Sequence, residues 1–85
     1  MASKDPHITD IRRQVGANLR RLRSQMKWSQ STLAERAGLN RSYLSMVENG
    51  RRNISLDNLV SLALALRVEP VVLLTIVDSE PASAE

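Results

Sequence analysis

The sequence predicts an all-α domain of five helices. Three observations support this: apolar residues recur at three- and four-residue steps through most of the 85 residues, Ser or Asn stands ahead of each of the three middle segments, and glycine follows two of them.

Ile8, Ile11, Val15, Leu19, Leu22 and Met26 form one stripe of a first helix, with most of its arginines on other faces. That helix stops near Lys27, and Trp28 is a packing residue at the joint with the next one. Ser29 can accept a backbone N–H and so caps a short second helix over residues 30–37, which holds Leu33, Ala34 and Ala37 and ends at Gly38. Asn40 caps a third helix spaced by Tyr43, Leu44 and Val47 and stopped by Asn49 and Gly50. Residues 51–54 connect it to a fourth, capped by Ser55, with Asp57 placed favourably for the helix dipole. Leu56, Leu59, Val60, Leu62, Ala63, Leu64 and Leu66 make this fourth helix apolar nearly all round, which predicts burial from several sides.

The run Val71, Val72, Leu73, Leu74, Thr75, Ile76 and Val77 would suit a strand by propensity. Pro70, however, fits the first position of a helix, the connection is short, and no other strand exists to pair with. A short fifth helix is therefore expected. Seven consecutive residues of this kind cannot all face one small core, so some are expected on a partner surface. Leu66, Val72, Leu73 and Ile76 are the candidates for a dimer interface. The expected organisation is a loose amino-terminal arm over residues 1–7, one domain over 8–77 and a polar tail over 78–85.

Composition narrows the function. At 42% hydrophobic and 25% charged the chain is globular, and with no Phe and only Trp28 and Tyr43 as aromatics its core must be aliphatic. A core of this size is marginal, so self-association is expected to supplement it. The absence of cysteine removes disulfides, thiol catalysis and zinc–thiolate sites. No apolar run approaches the roughly 20 residues of a membrane span, and no secretory signal is visible, so a cytoplasmic protein without a membrane partner is expected. The single histidine, His7, lies in the loose start, and Glu35 and Glu48 sit among arginines instead of pairing with each other. No catalytic set, metal site or cofactor is therefore expected.

Charge is unevenly distributed. Residues 11–52 hold ten basic residues against Glu35 and Glu48, a local balance of +8, whereas residues 53–85 carry −4. A block of that charge suits a polyanion such as nucleic acid, the alternative being a solvated basic face.

The span QSTLAERAGLNRSYLSMVEN, residues 30–49, meets the requirements of a helix-turn-helix. Ala34 is small where the following helix crosses close by, Gly38 lets the chain reverse, and Leu33, Ala37, Leu39, Leu44 and Val47 fix the angle at which the second helix projects. With LRRLRSQMKWSQ before it and ISLDNLVSLALALRV after it, the chain resembles the Cro/repressor-like (XRE-type) DNA-binding domains. The run RSYLSMVENGRRNISLDNL is most similar to the controller proteins of restriction-modification systems, although their usual form has Thr where this chain has Ser42 and an acidic residue near Met46.

The resemblance implies a five-helix, lambda-repressor-like DNA-binding domain with a helix-turn-helix. It further implies a homodimeric, sequence-specific transcriptional regulator on a palindromic operator of double-stranded DNA, with RNA polymerase as a further partner. Carried over by position, Arg41, Ser42, Ser45 and Met46 face base edges, with Arg52 also in reach of bases. Gln30, Asn49, Arg51 and Asn53 meet phosphates. Tyr43 either meets the DNA backbone or fills a gap between helices. Arg23 and Glu48 align with a structural ion pair joining the first helix to the recognition helix. Two other readings remain at this stage: an antitoxin of the same fold, and a protein-interaction module whose basic face is incidental.

Overall fold

The computed structural model describes residues 6–76, with side chains from Asp10 onward. Five helices follow in order: α1 (Pro6–Gln25), α2 (Gln30–Ala37), α3 (Arg41–Glu48), α4 (Leu56–Leu66) and α5 (Pro70–Leu74). No strand occurs among the described residues: the β-prone run is helical through Leu74, with Pro70 in its first turn as expected, and leaves the helix at Thr75. The first helix starts earlier than its apolar stripe suggests, because the backbone of residues 6 and 7, expected in the loose arm, is already helical. Residues 1–5 and 77–85, including the polar tail at 78–85, lie outside the described residues.

The three expected caps are formed. Ser29, Asn40 and Ser55 each accept from the backbone N–H three residues on, at 3.0, 3.1 and 3.0 Å. Each such bond satisfies a donor that the helix itself leaves unpaired, and is worth about 1 kcal/mol. Gly38 closes α2 at φ 71°, a left-handed conformation that glycine adopts without strain. Two further stops have no glycine to announce them. Lys27 and Arg67 take φ 60° and 61°. At each, the residue in question and its successor donate back to the preceding helix: Lys27 to Ser24 and Trp28 to Arg23, Arg67 to Leu64 and Val68 to Ala63.

Each helix sends one fully buried leucine to the centre: Leu19, Leu33, Leu44, Leu62 and Leu73. Burying a leucine stabilises by about 1.5–3 kcal/mol, so these five form the base of the fold. Around that centre α1 packs on α3 and α5, α2 packs on α3 and α4, and α4 packs on α5. Trp28 packs against the edge of the core at the joint between α1 and α2, with the Arg36 guanidinium 4.5 Å from its ring centroid. The one neutral polar side chain in the buried set is Asn18, 1% exposed. It accepts from Gln14 and donates from Nδ2 to the carbonyls of Leu73 (2.8 Å), Thr75 (2.9 Å) and Val72 (3.4 Å). A single amide on α1 thus gathers the carbonyl end of α5.

α4 is buried from more than one side, against α2 and α5, as expected, and Leu56, Val60 and Leu64, spaced by one turn each, leave an exposed apolar stripe along it. One expectation is corrected. Of the four residues expected at a dimer interface, Leu66 and Leu73 belong to the chain's own core at 5% and 0% exposure, and Val72 is half-buried. Helical periodicity is the reason: in a single helical turn Leu73 points inward, so Val71 and Leu74 point out. Ile76 is 69% exposed.

Candidate nucleic-acid interface

α3 is short, yet it is held from three sides. Asn40 fixes its start, and Leu44 and Val47 bury its inner face. α1 then approaches its last turn so closely that a Cβ on Gly16 would collide with the backbone carbonyl of Glu48 and lie 2.7 Å from that of Val47. Only a glycine permits this crossing.

The side chain of Glu48, at the end of α3, is 0% exposed and is the hub of a polar cluster. Arg23 on α1 donates to both its oxygens, Nε to Oε2 at 2.8 Å and Nη2 to Oε1 at 2.9 Å, while Gln30 at the start of α2 donates to Oε1 at 3.0 Å. The Arg23 guanidinium also donates to the Trp28 carbonyl at 2.9 Å. The hydrogen bond with Glu48 pushes the Arg23 pKa above its ordinary value, against the opposing effect of burial. The expected ion pair is thus present as a two-pronged, buried contact. Breaking such a pair by deleting one partner costs about 3–5 kcal/mol, far more than an exposed pair is worth.

With the inner face committed, the outer face of α3 is open. Arg41, Ser42 and Met46 are exposed and Ser45 is half-buried beside them, and the line continues past the helix into Asn49. Arg51, Arg52 and Asn53 are exposed on the connection that follows. The expected base-contacting residues thus lie on α3 and the connection after it, together with Asn49, Arg51 and Asn53, while Gln30 opens α2. Gln30 is half-buried and its amide braces Glu48, as a brace for the recognition helix requires.

Tyr43 stands between α3 and the connection that follows it. It is half-buried, its hydroxyl donates to the Asn53 carbonyl at 3.3 Å and accepts from Asn58 Nδ2 at 3.2 Å, and the Arg52 guanidinium lies 5.3 Å from its ring centroid. It ties α3 to the connection that carries Arg52.

Sequence reasoning missed Gly16, Asn18 and Arg20. Arg20 Nη2 donates to the Glu48 carbonyl at 3.3 Å and to Asn49 Oδ1 at 3.0 Å, closing the end of α3. The only local signal for Gly16 was a glycine inside an otherwise periodic helix, which often marks close packing.

The helix-turn-helix family pattern (HTH_3) matches residues 19–73. An uncharacterised HTH-type transcriptional regulator of Sinorhizobium fredii is 42% identical over 72 residues, covering 85% of this chain and 94% of that protein. Control protein C.SmaI of Serratia marcescens is 39% identical over 75 residues, 88% of this chain and 89% of that one. The crystal structure of the restriction-modification controller protein C.AhdI from Aeromonas hydrophila is similar at a TM-score of 0.71 and 48% identity, over 73% of this chain and 94% of that chain. On the strength of the family match over residues 19–73 and these identities, the chain belongs to the XRE-type helix-turn-helix family of transcriptional regulators, with restriction-modification controller proteins among its relatives.

Proposed function

We propose that this regulator acts as a homodimer on a palindromic operator, placing α3 of each subunit in successive major grooves about 34 Å apart. The observation that supports it is the outer face of α3. Arg41, Ser42, Ser45 and Met46 lie open on a helix whose inner face is locked, which is how base-reading side chains are presented at a fixed angle. Arg41 reads guanine through its two-pronged guanidinium. Gln30, Asn49, Arg51 and Asn53 hold phosphates on either side of the groove, and Arg52, stacked on Tyr43, reaches a base or a phosphate beyond it. The reading needs no catalytic group, no metal and no cofactor.

Dimerisation is assigned to the exposed apolar residues at the α4–α5 end of the molecule. Ile11, Leu56 and Leu74 are exposed and line a largely apolar depression of about 140 Å³ whose lining also includes Arg52 and Asn53, and Val71 and Ile76 are exposed as well. Exposed apolar surface of this extent on so small a chain fits a second copy. The controller role is supported by the likeness to the control protein C.SmaI and the restriction-modification controller C.AhdI, and RNA polymerase is the further partner such a regulator would meet.

Selection of bound duplexes from a random pool tests the reading. An enriched inverted repeat with half-sites one helical turn apart is expected. Recovery of unrelated sequences, or of a lone half-site bound by monomer, would overturn it.

A further inference from the structure

α1 also contributes to the surface around α3. Arg13 and Arg20 are seven residues apart, two turns of helix, and so project on one side of α1 with Ala17 between them. That side faces the end of α3 across an open cleft of about 240 Å³ lined by Arg13, Ala17, Arg20, Glu48 and Asn49. The floor is small because Ala17 is small, and the walls are two exposed guanidinium groups and an exposed amide.

The electrostatics of the cleft favour an anion. The Glu48 carboxylate is fully buried and is already matched by Arg23 and Gln30, with Arg20 Nε 3.9 Å away. Among the described residues Arg13 has no carboxylate within ion-pairing distance. Arg20 also fixes the orientation of Asn49. Because Arg20 Nη2 donates to Asn49 Oδ1, the Asn49 amide nitrogen, a donor, is the atom left to meet a ligand. Gly50 secures the other wall: at φ 72° it turns the chain against Arg13, and a Cβ there would lie 2.9 Å from Arg13 Cγ. The stem of Arg13 is therefore backed by the turn that ends the recognition helix.

We propose that Arg13, Arg20 and the Asn49 amide form one phosphodiester subsite, through which α1 itself grips the DNA backbone at the carboxyl end of the recognition helix. The proposal rests on the DNA-binding reading above and extends it. Asn49 lies on the line of Ser42, Ser45 and Met46, so a groove occupied by that line brings its flanking backbone to the cleft. The contact is to backbone and is indifferent to sequence. Arg20 has a second role as a positioning residue for Asn49.

Binding of the full chain to its selected operator and to random duplex of equal length, measured between 50 and 200 mM salt, tests the proposal. The variants are Arg13→Gln, the double variant Arg13→Gln with Arg20→Gln, and the double variant with both arginines changed to Lys. Loss of one phosphate contact lowers the slope of log affinity against log salt by about 0.9, which shrinks the affinity ratio across this salt range by about 3.5-fold. The double Gln variant is expected to show that change equally on both duplexes, and the double Lys variant to retain the wild-type slope. Arg13→Gln alone, at an exposed position, is expected to lower the slope without moving the thermal midpoint, so the subsite stays testable even where the change at Arg20 loosens α3. An unchanged slope in both Gln variants, with the wild type binding its operator, would overturn the subsite alone. A loss confined to the operator would also overturn it, since a backbone contact cannot be sequence-selective. If the wild type binds neither duplex, the DNA-binding reading falls and the subsite with it.

Discussion

Gly16 and Glu48 meet backbone to backbone, with the carbonyl of Glu48 occupying the place a Gly16 side chain would need. Gly16→Ala would ordinarily gain nearly 1 kcal/mol of helix propensity. Here the methyl must push α1 off α3, and overpacking of this kind costs about 1–3 kcal/mol. A net destabilisation is expected in urea unfolding, together with weaker operator binding. Gly38→Ala supplies the contrast. Nothing lies within 4 Å of its added Cβ, so only the left-handed backbone resists, at about 1–2 kcal/mol, and binding by the folded protein should be little changed.

Removing Arg23 is expected to cost about 3–5 kcal/mol, because it leaves the fully buried Glu48 carboxylate without its cation, and removing Glu48 somewhat less, because the Arg23 side chain is 15% exposed. Replacing both by Met and Leu should recover most of that stability in thermal unfolding. It should not recover operator affinity, since Gln30 and α3 lose their common anchor. The pH response follows from Arg23. A cation whose pKa is raised by folding contributes stability that is fully present below its ordinary, unfolded value and lost only as pH rises through the higher folded value. Its contribution should therefore be flat across neutral pH and fade only in strong alkali.

Asn18→Leu removes the donor that serves the carbonyl end of α5 while keeping an uncharged side chain of similar bulk. Leaving the buried Leu73 carbonyl unpaired costs about 1–3 kcal/mol. Hydrogen exchange should quicken at the amides of α5 before those of α1 or α4, and the dimer should weaken in ultracentrifugation more than the melting midpoint falls. Equal loosening of every helix would contradict a local role for Asn18.

Leu74→Asp and Leu73→Asp are adjacent changes with opposite expected outcomes. Leu74 is 42% exposed and Leu73 is 0% exposed. The first variant should stay folded and sediment as a monomer at tens of micromolar, whereas the second should unfold. A dimeric Leu74→Asp protein would move the interface elsewhere.

Arg41→Ala should leave the fold and the dimer intact and erase preference at one base pair of each half-site, a loss of about 1–3 kcal/mol of discrimination. Binding to random duplex should weaken far less. Equal losses on both duplexes would assign Arg41 to a phosphate.

The parts of the molecule written in local chemistry were legible in advance. Ser29, Asn40 and Ser55 act on donors three residues away, and Gly38 acts on its own backbone, so spacing sufficed to find them. The Arg23–Glu48 pair came from resemblance to a family, not from spacing. What spacing could not show were choices made across the chain. Asn18 donates to carbonyls 54 to 57 residues away, and nothing near it in sequence distinguishes it from a solvated helix residue. Leu73 and Leu74 are chemically identical, and which of them points inward depends on where α4 leaves the chain. That in turn depends on Arg67 adopting a glycine-like conformation. Arg20 read as one more basic residue until the end of α3 was seen beneath it.

Three helices converge on the one carboxylate of Glu48, so the reading rod is clamped at its far end before any duplex arrives. It has little freedom to roll or tilt toward a mismatched base pair. When protein and operator do not match, the duplex must be the party that bends, and the sequence dependence of its stiffness then adds to selectivity at positions no side chain touches.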